Sequence, residues 1–487
     1  MSVSSATNTR LTLPSAIGWP VAIAGLLAVF ATYWDEAWHT DVGRDSAWAA
    51  PHVLLYGSVA VVGLGVAVWG FRVLAETRSL RASLGQSPLL AAGLGALGVL
   101  VAAPIDAFWH EASGRDAVLW SPPHMLVVLA STALVLGVLA GLPGRARSLR
   151  AMAGVLMLAN AVAVVFEFEA DVPQFSEVLY LPLLLIVGLA AVWVLRDVVP
   201  LRVPVVAVVL GYAGLRLAIA GGLLAMGRSA PDLPIAVLGL AAFDLPLRRT
   251  SSRVAAAAVA TAGLAWGASA SSLASPVSSA VAVTAVPVIV LGILSLLLRS
   301  RNAVLVAAAV LLGAGAILTI SPEQAEAHDP GQGEPIARLQ LTATADGAGR
   351  VALTATADEH CEDLTPSAVV ARRAGQTITA ELQEDGRCRF QGELRLLSAG
   401  RWFLYAEFTH AGTPAEAWLP VQGRSAGIVE RSRILYRPAG DDRDASGAQI
   451  LFGVLIYAAG LGLLAVGVRA ARSRRQPYLV SPEVCRC

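Results

Sequence analysis

Residues 123–142, PHMLVVLASTALVLGVLAGL, contain no acidic residue, lysine or arginine, and they end just before Arg145, Arg147 and Arg150. An α-helix rises 1.5 Å per residue, so about 20 apolar residues span a hydrocarbon core of about 30 Å. The stretch therefore reads as a transmembrane helix that opens on Pro123-His124 at one membrane face and stops against cations at the other.

The pattern repeats along the chain. Apolar runs at roughly 16–34, 52–71, 88–105, 151–166, 179–195, 203–225, 234–247, 254–270, 277–298, 302–320 and 448–468 bring the expected total to about twelve spans. With hydrophobic residues at 56% and charged residues at 15%, against a globular norm of about 25%, neither a soluble enzyme nor a disordered chain is expected. The 36 basic and 35 acidic groups nearly cancel, which removes the general electrostatic ground for nucleic-acid binding.

Orientation follows from arginine, because the chain has no lysine. Arg10, then Arg72, Arg78 and Arg81, then Arg145 to Arg150, Arg196 and Arg202, Arg248 to Arg253, Arg299 and Arg301, and Arg469 to Arg475 occupy alternate connections. By the positive-inside rule those connections are cytoplasmic. The expectation is a multi-pass plasma (inner) membrane protein with both termini cytoplasmic.

One outward connection is large. Between 327 and 447 the charge rises and short alternating runs appear, such as Leu339–Thr344, Val351–Ala357, Thr377–Leu382, Trp402–Phe408 and Ala417–Val421. Period-two runs between turn residues predict an extracytoplasmic all-β sandwich, cupredoxin- or Ig-like, placed before the last helix. Cys361 and Cys388 lie in it, where an oxidising compartment permits a disulfide; Cys485 and Cys487 lie in the cytoplasmic tail and read as reduced thiols. The expected organisation is thus a membrane unit at 1–142, further spans at 143–326, the β domain at 327–447, and a final helix with its tail at 448–487.

All seven histidines, His39, His52, His110, His124, His328, His360 and His410, fall on the outward side or its boundary. Four of them belong to an internal repeat. The first copy holds Asp35, Trp38-His39, Gly43-Arg44-Asp45, Trp48 and Pro51-His52; the second holds Asp106, Trp109-His110, Gly114-Arg115-Asp116, Trp120 and Pro123-His124. Asp and His at i and i+4 share a helical face, so one cation can be reached by a carboxylate oxygen and an imidazole together. The second His of each copy, opening the next helix, completes a two-His, one-carboxylate set suited to copper, zinc or non-haem iron with positions left open. Arg44 with Asp45 and Arg115 with Asp116 are placed to orient the ligating imidazoles. The structural alternative is an interfacial polar pair within an aromatic belt formed by Trp34, Trp38, Trp48, Trp109 and Trp120.

These residues resemble the metal-ligand segment in the C subunit of the copper membrane monooxygenases, the particulate methane and ammonia monooxygenase group. That family has an Asp-x3-His-x12-His set, matched in spacing by Asp35, His39 and His52. Its second set, Asn-x3-His-x13-His, is matched by Asp106, His110 and His124 with Asp in place of Asn. The resemblance covers about residues 20–140. A fainter one concerns the outer domain: basic Arg299 and Arg301, an apolar run and Ala325-Glu326-Ala327 have the order of a secretory signal peptide. In the family's B subunit a cupredoxin-like domain begins with a copper-binding His. Cleavage after Ala327 would leave His328 amino-terminal, with His360 or His410 as further ligands; the alternative is an uncleaved helix.

The resemblance implies a copper-dependent monooxygenase hydroxylating a small apolar substrate with O2. Expected partners are the lipid bilayer and a quinol or other electron donor, with a homo-oligomer left open. Copper handling or sensing without catalysis, and a zinc-dependent membrane hydrolase, are the alternatives. Two further expectations concern charge: Arg216 is placed to pair with Asp244, and Glu167, Glu169, Asp171 and Glu177 read as a solvated acidic outer loop.

Overall fold

The computed structural model describes residues 12–42, 48–113, 119–173, 175–297, 333–357, 361–374, 376–438 and 447–472. Among these, nine helices are long and apolar enough to cross a membrane: Ser15–Asp41, Ala50–Thr77, Ser87–Trp109, Pro122–Gly141, Arg147–Glu169, Glu177–Val198, Pro204–Ala225, Ser278–Leu297 and Gly447–Arg472. We label α1 Ser15–Asp41, α2 Ala50–Thr77, α3 Leu80–Leu84, α4 Ser87–Ser113, α5 Pro122–Gly141, α6 Arg147–Val162, α7 Phe166–Glu169, α8 Tyr180–Val198, α9 Pro204–Ala225, α10 Thr250–Ala270, α11 Ser278–Leu297 and α12 Gly447–Arg472. Three of these helices, α2, α5 and α9, carry proline in their first turn, where the missing N–H has no partner to lose.

Three of the twelve expected spans are not among the nine. The run 302–320 lies outside the described residues. α10 is long enough, but its alanine- and serine-rich sequence falls short in apolarity. The run 234–247 forms a 3-10 helix, Ile235–Asp244, instead of an α-helix. At about 2.0 Å per residue this narrower helix covers about 20 Å in ten residues. Gly239 lets it lie against α10: a Cβ there would stand 2.2 Å from the backbone nitrogen of Thr261.

Near the C-terminus, nine strands form one antiparallel sheet: β1 Gly333–Asp346, β2 Arg350–Ala357, β3 Leu364–Arg373, β4 Gln376–Glu381, β5 Gln383–Glu384, β6 Arg389–Arg395, β7 Gly400–His410, β8 Thr413–Gly423 and β9 Ala426–Pro438. The order is β4-β3-β7-β8-β9-β1-β2-β6-β5. The sheet curls until its two ends nearly meet. At Gly392 of β6 a Cβ would stand 2.4 Å from Val369 of β3 and 2.7 Å from the carbonyl of Glu381 in β4. Inward residues of both halves, among them Leu341, Leu353, Val369, Phe390, Leu404, Phe408 and Leu435, make one core. Cys361 and Cys388 are disulfide-bonded, with Cα atoms 5.2 Å apart.

The β domain sits on the helix ends that carry Asp35 and His39. Its Val370, Phe403, Tyr405 and Trp418 pack with Ala170 and Val172 of the loop after α7. Arg373 bridges Asp171 at 2.8 Å and Glu177 at 2.6 Å, and the Arg401 backbone N–H donates to Asp171 at 2.7 Å. Arg433 donates to the carbonyl of Val42, the residue that ends α1.

These contacts overturn the solvated-loop expectation. Glu167 and Glu169 are buried, and Asp171 and Glu177 are partners of Arg373. Long-range pairing also redistributes Arg216, whose partner is Glu169 and not Asp244. Asp244 lies 3.7 Å from Arg196 and accepts the N–H groups of Val205 and Val206 at 2.7 and 3.0 Å, filling the cap position of α9.

Candidate metal centre

α1 carries Asp35 and His39 one turn apart, and α2 packs alongside it with His52 in its first turn. Asp35 Oδ1 stands 3.1 Å from His52 Nε2 and 3.7 Å from His39 Nε2. One donor atom from each of the three residues falls within 4.8 Å of the others, and among the described residues this is the group of three or more metal-ligating side chains. All three are half-buried, with side chains 13% to 25% exposed. Proline at position 51 starts α2 so that His52 faces back toward α1.

A cation with bonds of about 2.0–2.1 Å separates its ligand atoms by about 3.0–3.4 Å. The distances of 3.1 and 3.7 Å lie close to that range without rearranging the helices. The donor set, one carboxylate and two imidazoles, therefore fits a divalent cation such as copper, zinc or iron.

The second copy is present in part. Asp106 Oδ1 in α4 lies 3.4 Å from His124 Nε2 at the start of α5. His110 belongs to α4, but its side chain is outside the described ones. The copies are neighbours, since α2 of the first packs on α4 of the second. Arg44, Asp45, Arg115 and Asp116 lie outside the described residues, as do His328 and His360. His410 ends β7 opposite Leu364, with its Nδ1 buried and lacking a hydrogen-bond partner among the described residues.

Residues not marked by the repeat hold its ends. Asp41, two residues beyond His39, accepts both the backbone N–H and the hydroxyl of Ser229 at 2.6 Å. Arg228 lies over the Trp38 ring at 5.0 Å. Glu167 accepts the N–H of Leu119 at 2.6 Å, and Trp120 donates to Val164 at 3.2 Å, fixing the approach to His124. Proximity of Asp41 to His39 in sequence is a signal for the first; Ser229, Arg228 and Glu167 are distant and give none. Comparison of the chain with family models, curated proteins and solved structures finds no match, so a functional reading rests on these residues and their geometry.

Proposed function

We propose that this chain is a copper-dependent, monooxygenase-like protein of the plasma membrane, with both termini cytoplasmic and a cupredoxin-like β domain extracytoplasmic. The observation that carries the reading is the convergence of Asp35, His39 and His52 from two helices of a duplicated unit. Asp35, His39 and His52 would hold the metal, with Asp106 and His124 as a neighbouring pair. Orientation is supported by the alternation of arginines along the chain.

Bound copper would supply the redox chemistry that couples dioxygen reduction to hydroxylation of a C–H or N–H bond. The overall balance is RH + O2 + quinol giving ROH + water + quinone, so two electrons and two protons come from the donor. The chain's own groups position the site. Asp35 sets negative charge between two imidazoles, the Asp41–Ser229 bonds fix the end of α1, and the Arg433 contact to Val42 fixes the exit of the chain from that helix. Hard N/O donors suit a resident redox ion better than Cu(I) transfer, which normally uses Met and Cys.

The test is copper content and EPR of the full chain purified from membranes, beside His39→Ala and His52→Ala. Loss of most copper in both variants, with copper EPR in the parent showing nitrogen coupling, supports the centre. Unchanged copper in both overturns it. Oxygen uptake with a quinol and a small alkane, alkene or ammonia tests the reaction: copper binding without an oxygen-dependent product overturns the oxygenase reading in favour of copper handling.

A further inference from the structure

At the helix ends opposite the triad, Thr12, Pro14, Ser15, Trp69, Arg72, Val73, Glu76, Pro143 and Arg145 line a cleft of about 450 Å³. Three elements build it: the first turn of α1, the last two turns of α2, and the connection after α5. That volume is in the range of small-molecule sites, about 300–1,000 Å³.

Its chemistry is uneven in an informative way. Arg72 and Arg145 are exposed and neither guanidinium has an ion-pair or hydrogen-bond partner among the described residues, although Glu76 lies one turn from Arg72. Trp69 is 1% exposed, packed on Gly141, and its indole N–H has no acceptor among the described residues. The start of α1, which has no side-chain cap, adds the positive end of a 27-residue helix to the same cleft.

Two exposed guanidiniums in one cleft, beside a helix N-terminus, call for acceptor oxygens carrying negative charge. The position narrows the source, because the cleft opens at the ends of membrane-length helices, where lipid headgroups lie. We propose that this cleft binds the phosphodiester headgroup of a membrane lipid. Arg72 and Arg145 take the phosphate, and the carboxylate of Glu76 selects a headgroup ending in a hydrogen-bond donor, such as ethanolamine or glycerol, over choline.

The experiment is native mass spectrometry of the detergent-purified full chain titrated with phosphatidylethanolamine, phosphatidylglycerol or phosphatidylcholine, and separately with inorganic phosphate. The expected result is preferential retention of the first two lipids, with Arg72→Gln/Arg145→Gln binding them about thirtyfold more weakly. Glu76→Gln is expected to abolish the preference over phosphatidylcholine while retaining phosphate-dependent binding. Unaltered copper content in each variant shows that the triad end remains folded. Equal lipid retention by the parent and the double variant overturns the site, and displacement of bound lipid by millimolar inorganic phosphate overturns the lipid as its occupant in favour of a soluble anion.

Discussion

Glu169→Gln should destabilise the chain strongly although it is isosteric. Glu169 and Arg216 are 2% and 1% exposed and form a direct ion pair. Arg216 also donates to the Tyr212 hydroxyl at 3.0 Å and the Asp232 carbonyl at 2.7 Å, and it lies over the Tyr33 ring at 4.7 Å. Glutamine keeps the volume of glutamate, so no cavity opens, and an oxygen remains to accept a hydrogen bond. What is lost is the neutralising charge, and the neutral hydroxyl, carbonyl and ring cannot replace it. Removing one partner of a buried pair costs about 3–5 kcal/mol. Replacing both charges, as in Glu169→Gln/Arg216→Met, also removes the burden of burying them and should recover most of that loss. Reversible unfolding in mixed detergent and SDS micelles, followed by circular dichroism, measures both variants. If Glu169→Gln lies within about 0.5 kcal/mol of the parent, the range of ordinary surface changes, the pair does not stabilise the fold as argued. A double variant no better than the single one would refute the charge argument in particular.

Two other expectations test separate parts of the molecule. Gly239→Val places a side chain 2.2 Å from the Thr261 backbone and should separate the 3-10 helix from α10, at a cost of about 1–3 kcal/mol, read as a lower melting point in detergent. Arg373→Gln removes the cation facing both Asp171 and Glu177; hydrogen exchange at residues 170–173 should rise strongly while exchange in β1 and β9 stays at the parent level, and unchanged exchange there would show that the Arg401 bonds and the apolar contacts hold the domain without the Arg373 ion pairs.

The parts of the fold visible in sequence are those set by local periodicity. Runs such as 123–142 specify an apolar helix residue by residue, and the Asp35-x3-His39 spacing places two donors on one face before any tertiary contact exists. Pro51 and Pro123 similarly mark where the returning helices begin. The ion pairs were not legible, because Glu169 and Arg216 are 47 positions apart: Glu169 reads as part of a solvated loop, and Asp244, on the next apolar run, looks the nearer partner for Arg216. Strand β3 was hidden for a different reason. Val369 and Ala371 face the barrel-like core while Val370 packs on the membrane-side loop, so burial on both faces erases the period of two. The apolar run at 234–247 announces burial but neither the 3-10 pitch nor the close approach to α10 that Gly239 permits.

The hydrogen bond from Arg433 to Val42 joins residues 391 positions apart. A ribosome adding about 5–20 residues per second needs about 20–80 s to travel that distance. During that interval Ser229, which holds Asp41 at the end of α1, is made well before β9 supplies the second fastening. The three donors are therefore encoded among the first residues of the chain, while the later of the two fastenings on the helix that carries Asp35 and His39 comes from its far end. A chain that stalls before β9 would carry all three donors and the Asp41–Ser229 bonds but lack the Arg433 contact to Val42.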